Sequence, residues 1–358
     1  MAVSRSDPVL VEVIRGEMVE SGHRGSYAVV DAAGAVVCAA GDIERPVYPR
    51  SAIKPLQALP FVASGAADHY GLGNAEIALA CASHSGAPAV VAAVERWLGR
   101  IGLGPADFEC GADPPTASVE ARALVVAGQS YSALHNNCSG KHAGFLTTAK
   151  FYGESTRGYI GAEHPVQRRV LASLSAMTGL DLSRAPRGTD GCGIPVVGIP
   201  LAAMARAMAR LADPAGLAED IGAAAGRVLA AMAAEPMIIA GASRFTAEVL
   251  RVAGSGLRVK PGAEGVCCAV LPRQGFGIAL KIADGAGRAA DAAMGALLGA
   301  LGMFDEAQSA ELAPVLRPVV RNVAGNYVGE LRPAAEAFTK RAASPATAQS
   351  GKKKRLLA

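Results

Sequence analysis

Short apolar runs open the chain. Residues 9–14, 27–31 and 36–40 each have the length and β-branched content of a strand. Ala32-Ala33-Gly34 between the last two predicts a hairpin. At Ser51 the period changes. Through residue 63, Ile53, Leu56, Leu59 and Phe61 crowd one side at helical spacing, with Pro55 tolerated in a first turn. Helical periodicity then dominates from about 75 to 251. It covers 87–101, 119–126, 141–152, 165–178, 195–211 and 217–233, parted by Gly, Pro and Asp. Strand patterning returns at 265–272 and 275–282. A helix is predicted over 285–301, and strands over 315–322 and 327–331.

Strands, a long helical middle, then strands and a helix predict an α+β fold. The economical arrangement joins both chain ends in one antiparallel sheet with flanking helices, and hangs a helical lobe from the middle of the chain. The expected division is a discontinuous sheet lobe (1–50 and 260–331), a mainly helical lobe (51–259) and a basic tail (332–358). A cleft between the lobes is the default site.

Composition narrows the class. With 51% apolar and 18% charged residues the chain is no disordered polymer. Aromatics are only 4%, so the core must come from close-packed Ala, Val, Leu and Ile. The net charge of +4 is carried by the tail, where seven Lys/Arg face one acid, Glu336. The body is therefore slightly acidic, which argues against a nucleic-acid-binding face. The tail's KKKR run suits a solvated end, or contact with an anionic surface. The longest uncharged apolar runs, 191–205 and 292–304, are too short to span a bilayer. The first twenty residues lack a signal-peptide core, and seven cysteines, an odd number, fit reduced thiols. The expected location is the cytoplasm, with no nucleic-acid or membrane partner.

The common phosphate-loop, nucleophile-elbow and metalloprotease motifs are missing. Four polar blocks remain. In Arg50-Ser51-Ala-Ile-Lys54 the hydroxyl and the amine lie three residues apart on one helix face, so a lysine of lowered pKa could activate the serine. An N-cap serine and a surface lysine are the plainer reading. Cys81-Ala-Ser83-His84-Ser85-Gly86 follows an apolar run and places hydroxyls at its mouth, or simply caps the next helix. His135-Asn136-Asn137-Cys138-Ser139-Gly140-Lys141-His142 enters an apolar helix, and Thr189-Asp190-Gly191-Cys192-Gly193 forms a second tight loop. Two thiolates with Lys141 or His142 suit a soft metal such as Zn²⁺; buried structural cysteines are the alternative. Lys260, in Val-Lys-Pro-Gly before a strand, either points into the cleft or is a solvated turn lysine.

In this order the blocks resemble the bacterial L-asparaginase II family typified by the inducible, thermolabile rhizobial enzyme. The likeness runs from Val11-Glu-Val-Ile-Arg15 through Ser51-Ala-Ile-Lys54-Pro-Leu-Gln57, Ser83-His84, Asn136-Asn137-Cys138-Ser139-Gly140-Lys141-His142 and Asp190-Gly191-Cys192-Gly193 to Gly262-Ala-Glu264-Gly265. The resemblance implies hydrolysis of L-asparagine to L-aspartate and ammonia, a fold similar to serine β-lactamases and serine-dependent glutaminases, and a homodimer. It implies two catalytic Ser–Lys pairs, Ser51–Lys54 and Ser83–Lys260. Arg50, His84, Asn136, Asn137 and Gly191 fall at substrate-binding positions. It also implies a Zn²⁺ site of Cys138, Lys141 and Cys192, with Asp190 and His142 nearby. Thr246 stands where relatives carry a cysteine. A glutaminase, a penicillin-recognising acyl-serine enzyme and a non-catalytic amide or metal sensor are the rival readings.

Overall fold

The computed structural model describes residues 7–338. Eight strands form one antiparallel sheet: β1 (Val9–Arg15), β2 (Met18–Asp31), β3 (Val36–Ala40), β4 (Arg258–Pro261), β5 (Val266–Leu271), β6 (Phe276–Ile282), β7 (Val319–Arg321) and β8 (Tyr327–Pro333). Their order is β7-β8-β1-β2-β6-β5-β4, with β3 paired to β2. The two chain ends therefore interleave, with Val13 opposite Leu331 and Val29 opposite Ile278.

The central strands are apolar on both faces because helices cover both faces. Along β5, Val266, Cys268 and Val270 enter one core, while Cys267, Ala269 and Leu271 enter the other. The first core packs helix α4 (Leu201–Ala212) against β2, β5 and β6, with most of the other helices of the chain's middle behind it. The second packs α5 (Arg244–Ala253), α6 (Gly287–Ala300) and α7 (Glu306–Leu316). This is the mixed α+β architecture that the element order predicts.

Several elements depart from expectation, each for a local reason. The segment 51–63 is broken into a 3₁₀ turn (Arg50–Ile53), α1 (Lys54–Gln57) and a further turn (Leu59–Ala63), because Pro55 and Pro60 both demand first-turn positions. The expected helix over 195–211 begins only at Leu201; before it, Pro195–Val197 and Ile199–Pro200 pair as short strands. The expected strand over 315–322 yields its start to α7, whose Asp305 and Gln308 form a reciprocal capping box. Strand β2 begins nine residues earlier than its apolar run, since its first half is mostly exposed and carries no continuous apolar pattern.

The basic tail expected from 332 begins later, because the structure places 332–338 at the end of the last strand and against the sheet. Strand β8 runs to Pro333, Arg332 pairs with Glu12 at 2.8 Å, and buried Phe338 stacks on Tyr27 at 5.6 Å between ring centroids. Strand pairing and one aromatic anchor outweigh the basic composition. The rest of the expected tail, 339–358, lies outside the described residues.

Candidate active site

The site forms where edge strand β4 meets the helices. Lys260 lies within β4, opposite Cys268, and is 1% exposed. A strand position, rather than a turn, is what aims the amine inward. Lys54 opens α1 and is fully buried. Between them stands Ser83, just beyond helix α2 (Asn74–Cys81). Its Oγ is 3.0 Å from Lys54 Nζ and 3.0 Å from Lys260 Nζ. Lys54 Nζ also donates to the carbonyls of Ala82 (2.6 Å) and Asn137 (3.2 Å), and Lys260 Nζ to that of Pro261 (2.9 Å).

Two glycines allow this convergence. Gly241 has φ +57°, and a Cβ there would run into the carbonyl oxygen of Ser83. Gly262 is pressed against the Arg50 turn, where a Cβ would lie 2.9 Å from Ala52 N and 3.0 Å from Pro49 O.

Burial disfavours an ammonium in this place. It lowers the pKa of Lys260 to about 7, with help from the charge on Lys54. Burial likewise lowers Lys54, as does Lys141, against the opposing pull of Cys138. One serine oxygen thus lies within reach of two amines whose charged forms burial disfavours, and Lys260 can give up or accept a proton near neutrality.

Ser51 is half-buried in the 3₁₀ turn before Lys54, and its hydroxyl has no hydrogen-bond partner among the described residues. No hydrogen bond joins it to Lys54, whose amine turns to Ser83 instead. Arg50, immediately before it, has φ +51°, a left-handed conformation uncommon outside glycine. Its Nε donates to Asp190 Oδ1 at 2.7 Å, and Gly191 N donates to the same oxygen at 2.8 Å.

The cysteines lie one layer away. Helix α3 (Ser139–Phe151) presents Lys141 at 2% exposure, and its Nζ is 3.1 Å from Cys192 Sγ. A hydrogen bond from Cys192 holds the Cys138 thiol well below its usual range, and the same bond raises Cys192. Burial would lower Lys141, but the negative charge of Cys138, with smaller contributions from Cys192 and Asp190, outweighs it and holds the amine at about 12. His142 Nδ1 faces Tyr159 Oη at 2.8 Å, while its Nε2 is buried without a partner. Tyr159 and Ser139 are the partners that sequence reasoning missed; nothing local marks Tyr159. Thr246 is buried and bonded to Ser243 at the start of α5.

Three residues expected at substrate-binding positions have partners inside the protein. Asn136 spends its amide on Cys110 O and Gly111 O and its carbonyl on Cys138 N. His84 is 1% exposed with both ring nitrogens bonded inside the protein. Asn137 Oδ1 faces Cys138 Sγ at 3.2 Å. Buried polar groups must find partners, and Asn136 and His84 satisfy that need internally, while half-buried Asn137 keeps its side-chain nitrogen uncommitted among the described residues. Arg50 and Gly191 stay at the rim.

Comparison with known families makes the protein an amidohydrolase. Residues 11–333 match the L-asparaginase II family, and the chain belongs to that family. No curated protein sequence matches. Among solved structures, a β-lactamase from Mycobacterium bovis aligns at 15% identity and a TM-score of 0.38, covering 77% of this chain and 94% of that one. No helix among the described residues is long and apolar enough to cross a membrane.

Proposed function

We propose that the protein hydrolyses the side-chain amide of L-asparagine through an acyl-serine, and that one observation carries this reading: Ser83 Oγ bridges two buried lysines at 3.0 Å each. A hydroxyl in that position relays protons. The attacking group must instead be free to meet substrate, and Ser51 is the hydroxyl beside Lys54 that has no internal partner. Hydrogen bonds of this kind commonly tighten only when substrate is bound.

In the first half-reaction Ser51 Oγ bonds to the amide carbon while its proton passes to the unprotonated form of Lys54, which burial favours. Ser83 and Lys260 carry a proton to the leaving nitrogen as the C–N bond breaks, releasing ammonia. Water then attacks the aspartyl ester, gives up a proton to the same relay, and returns Ser51 as its C–O bond breaks. Arg50 offers a guanidinium to the α-carboxylate and Asp190 a carboxylate to the α-ammonium, with Gly191 beside them. Asparagine over glutamine is a choice of side-chain reach; one methylene is worth about 1–3 kcal/mol.

Cys138, Lys141 and Cys192 would hold Zn²⁺: two buried thiols that ionise on binding are soft donors, and the Lys141 amine would join them by giving up its proton to the ion's charge. The bound ion would supply positive charge for orienting the substrate's α-groups. In the same reading the protein works in the cytoplasm as a homodimer, which light scattering tests.

Trapping with a reactive diazoketone analogue of asparagine, followed by peptide mapping, tests the chemistry. A label on Ser51 is expected. A label confined to Ser83 overturns the assignment, and no release of ammonia from asparagine overturns the activity.

A further inference from the structure

We infer that His84 is a positioning residue whose imidazole locks the Ser83 loop onto the start of α3, so that Ser83 is held between its two lysines. This rests on the acyl-serine reading and adds to it the device that sets the relay's geometry.

The hydrogen bonds fix one tautomer. Gly86 N–H donates to His84 Nδ1 at 3.2 Å, so that nitrogen must carry the lone pair. The ring proton is then on Nε2, facing Ser139 Oγ at 2.7 Å. Ser139 in turn donates to Leu134 O at 3.0 Å. Every donor in this chain meets an acceptor in one direction only. Burial, aided by the charge on Lys54, lowers the imidazole to about 4, so it stays neutral throughout the working range of pH.

The backbone of His84 is tied as firmly. Its N–H donates to Asn137 O at 3.2 Å, the same carbonyl that accepts from Lys54 Nζ. Its carbonyl accepts from Thr116 Oγ1 at 3.2 Å. Both ring nitrogens and both peptide groups are thus engaged, leaving nothing for substrate. What they hold is the residue next to Ser83. A shift of about 1 Å there would carry Ser83 Oγ out of hydrogen-bond range of at least one lysine, and displacements of that size cost roughly 100-fold in rate.

The test pairs kinetics with ¹⁵N-histidine NMR on the full-length protein. A protonated Nε2 with a protected ring proton is expected, and Ser139→Ala should release that protection. In kinetics with L-asparagine, His84→Phe should lower kcat about 100-fold with KM changed by no more than roughly threefold. His84→Gln, which restores a donor near the Nε2 position, should recover about tenfold of that loss. Ser139→Ala should also lower kcat, and should add nothing on the His84→Phe background. If His84→Phe does not fold, Ser139→Ala carries the same split of kcat from KM. A raised KM with unchanged kcat would make His84 a substrate contact and overturn the positioning role. So would additive losses, lowered thermal stability with unchanged kcat, or an Nδ1-protonated ring. A wild type with the expected NMR signature but no turnover overturns the acyl-serine chemistry alone.

Discussion

Two buried amines share one serine oxygen, and a charge on either opposes a charge on the other. Lys260 titrates at about 7, because burial and the charge on Lys54 both act against its ammonium. The activity is therefore expected to rise with pH through about 7, as Lys260 becomes able to accept a proton. Lys260→Met should remove that limb and lower kcat/KM about 10²- to 10⁴-fold. Stability moves in the same direction. The folded amine titrates near 7 and the unfolded one near 10.5, so between these values the unfolded chain binds more protons. Stability then rises with pH across that window, and below it the folded state bears the full cost of a buried charge. Lys260→Met should accordingly raise the melting temperature most at pH 6, with the gain shrinking towards pH 10. An equal gain at both pH values would refute a titrating buried lysine.

The elements deliver these side chains by close backbone approach. Gly241 combines φ +57° with direct packing on the Ser83 carbonyl, so alanine is strained there and also displaces the serine. Gly241→Ala should cost about 2–4 kcal/mol in chemical denaturation and lower kcat in the protein that remains folded. A surface glycine with similar dihedrals, Gly254, meets nothing within 4 Å and should lose much less when changed to alanine. Other elements were legible from local pattern: the helix Pro165–Thr178, strand β3 and strand β6 lie where periodicity puts them. Those that shifted did so where proline or a cap overrode the apolar period, as at Pro200 before α4 and Asp305 before α7.

Across the molecule, sequence positions more than 170 residues apart meet at one oxygen, and the cysteine layer behind them is set by the loop at 190–192 reaching α3. Zinc binding is expected to stabilise the folded chain by about 2.7 kcal/mol at 100 times its Kd. A melting-temperature rise with added Zn²⁺ in the wild type, absent in Cys192→Ser, would check the site. The same rise in both proteins would move the ion elsewhere. By itself the sequence determined the element types, the α+β class and the polar blocks, because hydrophobic period, turn chemistry and motif spacing act within a few residues. The pairing of Ser83 with Lys260 came only from the resemblance to the L-asparaginase II family. Only the tertiary structure decided that Lys54 turns to Ser83 rather than to Ser51, that His84 and Asn136 face inward, and that 332–338 finishes strand β8 and packs Phe338 on Tyr27. These outcomes depend on which carbonyls and hydroxyls a buried group meets once water is excluded, and such partners come from segments far apart in the chain.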